Sequence, residues 1–593
     1  MINWHNRYAK LLQRNPGLFD PSRSVLEVGS GLQGIALWLQ RPIVGPEPVW
    51  SGVPNRFIEP VQGDIRDLPF AADSFDYVVC ADVFEHLPPS ARDVAVRELI
   101  RVSREKVLIT CPCGRVALDG EVAFADLMHS LDLPVPDWLQ EHFECGLPEI
   151  GQLVQILIGC GLPFELIGNE NRLQHYAGLV LDTTMPMAAD WNIRHAAKTV
   201  LEPPVGESPW DEYYSYLFTV DKRQQRRRPP AAPLPDSDPT VDREPTTAIY
   251  AVVHDASVMV DIAPLTYICT GAASHAPRPT LSIPPLTDSG YLVNSRWSEL
   301  SAIYSVWKDG PATDVVGFCH YRRFFNFGPN DGAERQETID PSAISTVRAN
   351  FTCPDLMTDV LRGLVVVAKP LDLEMTVFEH YSRCHNANDY LTMFNIVAEM
   401  CPELVPVLAE DFSTQTMHCN NMFIMNWEHF DRMCSTWFLV LQEFCARVDA
   451  FRAREYQSRD VSFLSERLFN AWIKYARNQG VRVREQSLYF VDYPADPTPS
   501  AATALANLGY RPPVLAGERL RTATAALEAE TTRADKLLEA VQSEEAERRR
   551  LADELATMRA SDAWRLSQRL RNNAVARRAY RTARDVQRRL RRS

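Results

Sequence analysis

No stretch of 18 or more apolar residues occurs in this 593-residue chain, so no segment is read as membrane-spanning. The first residues, Met-Ile-Asn-Trp-His-Asn-Arg-Tyr, lack the apolar core of a secretory signal. The thirteen cysteines form no C-x-x-C pair, only Cys111-x-Cys113, which removes zinc-ribbon and disulfide-scaffold readings. Together these absences predict a cytoplasmic protein with reduced thiols. Glycine and proline are absent after Gly517, which excludes turn-rich structure there and predicts a helical end.

The bulk is ordinary globular material, 46% hydrophobic and 23% charged, and the length predicts three or four folding units. A net charge of −14 argues against a generic nucleic-acid binder. That average conceals a division, because residues 564–593 carry eleven arginines and one aspartate. Proline clusters mark two breaks, at 222–247 and 492–516, where neither helix nor central strand persists. The expected organisation is a body over 1–221, a linker over 222–247, a second body over 248–491, a linker over 492–516, a coiled coil over 517–560 and a basic tail over 561–593. Heptad steps from Leu520 through Leu527, Ala534, Val541 and Leu555, with Ala523, Leu537, Leu551 and Met558 three residues on, support the coil. Arg548, Glu530 and Glu544 interrupt it. The coil predicts self-association; the alternative is a lone, charge-laced helix.

In the first body, Ser24–Val28 reads as a buried strand running into Gly29-Ser30-Gly31-Leu32-Gln33-Gly34 and a helix from Ile35. Glycines at a strand-to-helix turn let a ligand approach the backbone and the free N–H groups of the helix start. A second strand ends at Glu47, placed to accept both hydroxyls of a ribose. Further on come Gly63-Asp64-Ile65, the strand Ser74–Cys80, Asp82-Val83-Phe84-Glu85-His86, a helix Arg92–Arg101 and the strand Lys106–Pro112.

This order resembles the class I S-adenosylmethionine-dependent methyltransferases of the small-molecule type. The resemblance implies a Rossmann-like domain in which Glu27, Gly29 and Gly31 hold the amino-acid end of the cofactor. It further implies Glu47 on the ribose, Asp64 and Ile65 at the adenine edge, and Asp82 to His86 beside the sulfonium. The third glycine stands at Gly34 rather than one place earlier, and Pro46 is unusual before the ribose acid. A hydroxyl acceptor needs a base of near-neutral pKa, and His86 and His142 are the candidates, each equally readable as a structural histidine.

In the second body, Ala248–His254 reads as a strand, Trp297–Trp307 as a helix and Asp314–Phe318 as a strand ending in Cys319-His320-Tyr321-Arg322-Arg323-Phe324-Phe325. Two adjacent guanidiniums and an imidazole at a strand end suit a diphosphate leaving group. His320–Arg323, Glu379–His385, Asn421–Met425 and Phe463–Leu468 resemble, in order, a bacterial capsular and exopolysaccharide glycosyltransferase family long filed as an uncharacterised domain. That implies a GT-A-like fold, a nucleotide-diphospho-sugar donor held by His320, Arg322 and Arg323, and a glycan or lipid-linked glycan acceptor. Asp288, Asp389 and Glu466 are candidate bases, with Glu466 alternatively paired to Arg467. Asp-x-Asp strings fall in places such as Asp236-Ser237-Asp238 of the linker, so no metal is expected and the arginine pair takes its role.

The tail, with Trp564, Leu566, Leu570 and Tyr580 among its arginines, suits docking on an anionic inner leaflet; docking on an acidic neighbour and a solvated end are the alternatives. The whole predicts an α/β, two-enzyme chain of surface-polysaccharide assembly, cytoplasmic and peripheral at the inner face of the plasma membrane. Two other readings remain: a methyltransferase with a glycan-binding module, and a coiled-coil scaffold with degenerate enzyme domains.

Overall fold

In a computed structural model of the chain, the residues described are 2–184, 213–223, 234, 243–253, 262, 265–269, 281–282, 294–311, 313–328, 334–351, 353–448 and 459–492. The linker at 492–516 beyond its first residue, the coil and the basic tail lie outside them. Among the described residues no helix is long and apolar enough to cross a membrane.

The first body is built on seven strands: β1 (Val25–Val28), β2 (Ile43–Glu47), β3 (Ile58–Gln62), β4 (Phe75–Ala81), β5 (Ser103–Pro112), β6 (Phe164–Asn171) and β7 (Tyr213–Asp221). They lie in the order β3-β2-β1-β4-β5-β7-β6. β1 to β5 pair in parallel, and β7 runs antiparallel between β5 and β6. Every residue of β1 and β4 is buried, as expected of central strands covered on both faces, which read as continuous apolar runs. The helix after β4 spans Pro89–Val102 and buries Ala91, Ala95, Val96, Leu99 and Val102. It starts three residues before Arg92 because Pro89 stands at its first position, where the missing N–H costs nothing. Chain order reverses at β1, whose neighbours are β2 and β4, and a crevice opens there beyond the strand ends.

The second body holds a mixed ten-stranded sheet. β8 (Thr247–Val253) pairs in parallel with β9 (Leu265–Cys269) and β11 (Val315–His320), and β9 with β10 (Leu281–Ser282). β11 turns tightly into the antiparallel β12 (Arg323–Phe325), which pairs with the last strand of the sheet, itself parallel to β13 (Gln336–Ile339). β14 (Val365–Ala368) lies off this path, and β15 (Leu371–Asp372) forms a separate ribbon with β16 (Thr416–Met417). β17 (Phe423–Asn426) joins β11 to β14, β18 (Val483–Gln486) flanks β14, and β19 (Leu488–Val491) is the strand between β12 and β13. Helices Trp427–Arg447 and Asp460–Asn478 cover this sheet with Trp437, Phe444, Phe469 and Trp472, all buried. The α/β class holds for both bodies.

The two bodies pack together despite the proline-rich segment between them. The Asn395 side chain accepts from Leu166 N–H at 2.9 Å and donates to Leu166 C=O at 2.8 Å. It thereby acts as a one-residue strand partner on the outer edge of β6, which no further strand covers among the described residues. Phe164 meets Phe394, Tyr216 meets Phe378, and Gly151 lies under Phe412.

Candidate functional site

At the crevice beyond β1, β2 and β4 lies a cavity of about 620 Å³. Its walls include Gly29 and Gly31 from the glycine turn, Glu47 from the end of β2, Asp64 and Ile65 from the loop after β3, and Asp82 and His86 after β4. Seven residues separated by up to 57 positions in sequence therefore meet in one concavity. The reason is topological: each sits at the carboxyl end of a parallel strand, and those ends share one edge.

The glycines differ in purpose. Gly29, Gly31 and Gly34 all have positive φ, at +76°, +55° and +51°. A Cβ on Gly31 would meet nothing within 4 Å, so this glycine keeps backbone open to the cavity. A Cβ on Gly34 would fall 2.2 Å from Glu27 Oε2. The displaced third glycine is thus matched to a carboxylate beneath it.

Glu27 is placed differently from the expectation that it holds the cofactor's amino-acid end. It is 1% exposed and is not part of the cavity wall. One oxygen accepts from Tyr8 O–H at 2.8 Å and the other from Ile35 N–H at 2.7 Å. It braces the glycine turn from behind because β1 is buried on both faces, so its alternate side chains all point inward. Burial pushes its carboxyl up to about 7, against the Tyr8 and Ile35 hydrogen bonds. The folded protein then holds a proton that the unfolded chain has released above about 4.5, so stability falls as pH rises from about 4.5 to 7. Glu27→Gln removes this loss, which amounts to about 3 kcal/mol for a shift of this size. Thermal unfolding at pH 5 and pH 8 checks it: the variant should gain on the wild type between the two, and equal pH slopes would contradict it.

Glu47 does face the cavity and accepts from Gly31 N–H at 2.6 Å. Burial raises its pKa, partly offset by that hydrogen bond. Asp64 is gripped by Arg66, Nε to Oδ1 at 2.9 Å, and lies below the ordinary carboxylate range for that reason. Asp82, itself at φ +53°, pairs with Arg7 at 2.5 Å while its Oδ1 has no hydrogen-bond partner.

The two candidate bases prove to be neighbours. His86 Nε2 stands 3.3 Å from His142 Nε2, and the rings meet edge to face with centroids 4.7 Å apart. His86 Nδ1 lies 2.8 Å from Glu141, and His142 Nδ1 lies 2.8 Å from the buried Glu121, which also accepts from Tyr214 O–H. Burial and then the neighbouring His142 hold His86 below the usual histidine range. The pair was invisible in sequence, because 56 positions separate its members and helix Asp137–Cys145 must dock beside the short turn Phe84–His86.

In the second body, His320 and Arg323 face each other across the β11–β12 turn. The His320 Nε2–H donates to the Asn420 carbonyl, and Asn420 N–H donates to Glu466 Oε1 at 2.9 Å. Glu466 thus stands beside His320, and it also meets Arg467 at 3.3 Å; burial raises its pKa, opposed by Arg467. Arg322 and Arg323 both lie over the Phe490 ring. Arg323 is depressed by burial and then by Arg322 and Arg335. Arg335, which sequence reasoning missed, bonds Cys419 Sγ at 3.0 Å and the Lys369 carbonyl at 2.9 Å. Asp389 acts instead on Tyr381 and Arg296. Asp288 lies outside the described residues.

Against known families, residues 26–111 match the methyltransferase domain. The chain carries a methyltransferase domain. The match spans β1 to β5, whose ends carry the glycine turn, Glu47, Asp64 and Asp82, so this part of the chain is an enzyme domain. Residues 248–478 match a domain of unknown function, DUF4422, the uncharacterised family that the His320–Arg323 and Phe463–Leu468 blocks resemble. No curated protein matches the chain. Among solved structures, the apo form of the bifunctional glycosyltransferase WbbM is 23% identical over 42% of this chain and 46% of its own, with a TM-score of 0.37. The chain therefore spans less than half of that protein's length. Phosphoethanolamine N-methyltransferase 2 of Haemonchus contortus, solved with phosphomonomethylethanolamine and S-adenosylhomocysteine, is 17% identical over 37% of this chain and 53% of its own, at a TM-score of 0.25. Magnesium protoporphyrin IX methyltransferase of Synechocystis PCC 6803, with bound S-adenosylhomocysteine, is 14% identical over 37% and 83%, at 0.22.

Proposed function

We propose that the chain is a bifunctional enzyme of bacterial surface-polysaccharide assembly: an S-adenosylmethionine-dependent methyltransferase joined to a glycosyltransferase. The observation that carries the first half is the shared cavity lined by Gly29, Gly31, Glu47, Asp64, Ile65 and Asp82 within the methyltransferase domain. The residues fit S-adenosylmethionine chemically. The Cβ-free Gly31 leaves room for a ligand, Glu47 offers a carboxylate suited to a ribose diol, and Asp82 has an unpartnered oxygen for the amino-acid end. When bound, this cofactor supplies an activated methyl group. The protein's own residues align the acceptor, exclude water and take the acceptor's proton; His86, which lines the cavity with His142 3.3 Å behind it, is placed for that last task.

Isothermal calorimetry of the full chain with S-adenosylmethionine tests this half. Glu47→Ala is expected to weaken binding about a hundredfold, in keeping with loss of a charge-assisted hydrogen-bonding group. Equal affinity in wild type and variant would refute the assignment.

The second half rests on the convergence of His320, Arg322, Arg323 and Arg335 beside Glu466, a cationic cluster suited to a nucleotide-diphospho-sugar, with Glu466 or His320 near the acceptor hydroxyl. We place the glycan acceptor there and assign the basic tail to an inner-membrane surface and the coil to self-association. Turnover of labelled nucleotide-sugars separates this reading from a glycan-binding module.

A further inference from the structure

Beyond cofactor binding, we propose that Glu85, His86 and His142 form a binding site for a divalent first-row transition-metal ion beside the methyl-donor cavity, which His86 lines. A carboxylate oxygen of Glu85 and one ring nitrogen of each histidine lie within 4.8 Å of one another. Two nitrogens bound tetrahedrally at 2.0–2.1 Å stand about 3.3 Å apart, which is the separation of His86 Nε2 and His142 Nε2.

The proton inventory points the same way. Carboxylates only accept, so each Nδ1 facing Glu141 or Glu121 carries the ring proton. Glu121 receives Tyr214 O–H on the same oxygen, which keeps it an acceptor. With a ring proton on each Nδ1, the two Nε2 atoms face each other across 3.3 Å, an arrangement that needs either a metal ion or a shared proton between them. Histidines whose outer nitrogens donate to carboxylates are the usual supporting shell of a metal site.

The surroundings are rich in buried acid. Asp82, Glu85, Glu121 and Glu170 are all largely buried, with Arg7 paired to Asp82 and Arg92 near Glu85. Glu85 is 1% exposed, and its Oε2 has no hydrogen-bond partner; a buried carboxylate left so is costly unless paired or bound to metal. Two imidazoles and one carboxylate make a three-ligand site with an open position, a donor set that suits zinc and its neighbours.

The consequence for chemistry rests on the methyl-donor reading. With the ion bound, both Nε2 lone pairs are taken and the ion replaces the histidine pair as the means of activating the acceptor: a hydroxyl in the open position has its pKa lowered by the ion and loses its proton to solvent water as it binds, before methyl transfer. Its oxygen lone pair then forms the bond to the methyl carbon while the carbon–sulfur bond breaks, its electron pair going to sulfur to leave a neutral thioether.

The test uses the full chain, stripped with a chelator and dialysed against Zn²⁺ or Co²⁺, with metal content read by mass spectrometry and S-adenosylmethionine binding read separately by calorimetry. About one Zn²⁺ per chain is expected, lost in His142→Ala and Glu85→Gln, with the visible bands of bound Co²⁺ changed by the same substitutions. Glu141→Ala, at an exposed position, should lower Zn²⁺ affinity tenfold to a hundredfold, and it carries the comparison should a buried substitution prevent folding. A wild type that binds S-adenosylmethionine but retains no more Zn²⁺ or Co²⁺ than these variants overturns the site, leaving a shared proton between the rings. Metal bound without S-adenosylmethionine upholds the site and removes the methyl-donor reading instead.

Discussion

Gly34→Ala is expected to cost the protein about 3 kcal/mol, lowering its melting temperature by on the order of 10 °C, whereas Gly31→Ala should cost only about 1 kcal/mol. Both positions have positive φ, so each substitution carries the same left-handed backbone penalty. The difference lies in what the new methyl meets. At Gly34 it falls 2.2 Å from Glu27 Oε2 and 3.0 Å from Ser30 Cβ. Glu27 cannot swing away without releasing Tyr8 and the Ile35 N–H, so an overpacking cost adds to the strain. At Gly31 the methyl enters open space in the cavity wall. That variant should fold and lose affinity for S-adenosylmethionine instead. Differential scanning calorimetry together with ligand titration separates the two; a Gly34→Ala melting temperature equal to that of Gly31→Ala would show that Glu27 does not set the turn.

These two glycines mark how far the sequence could be read. The run Val25–Val28, the turn after it and the carboxylate at Glu47 were legible because central parallel strands are continuous apolar runs and a ligand-binding turn needs glycine. What a strand residue such as Glu27 faces was not legible. Alternation assigns faces only where one face is wet, and β1 has none. The histidines were each visible as chemistry, but their pairing depends on a helix docking from 56 positions away. Asn395 carried no signal at all, since its partner Leu166 is 229 residues earlier and the proline-rich segment between them looked like a spacer. Arg335 was missed for a similar reason: it precedes β13 at the sheet edge, and only the β12–β19–β13 pairing brings it to Arg323. Local pattern reports which backbone is regular; it does not report which loops share an edge.

On the glycosyltransferase reading, Arg323→Ala should lower the rate of sugar transfer by about 10²–10³, the loss typical of removing one preorganised group that meets developing negative charge. Arg323 stands in the cationic cluster on a hairpin anchored by its neighbours. Its neighbours Phe324 and Phe325 are fully buried, its guanidinium lies 5.1 Å from the Phe490 ring centroid, and its Nε has no hydrogen-bond partner. Burial, and then Arg322 and Arg335, depress its pKa, so three cations are held close at a free-energy cost that a bound diphosphate would relieve. Lysine at 323 keeps the charge but not the planar fork or the stacking on Phe490, so it should restore only part of the rate. Release of nucleoside diphosphate from the donor, measured with acceptor in excess, gives the turnover number directly. Because the hairpin is anchored by its phenylalanines rather than by Arg323, melting temperatures of wild type and both variants should agree within a few degrees. A turnover number for Arg323→Ala within twofold of wild type would remove the arginine from the leaving-group site and favour a module that binds glycan without cleaving a donor.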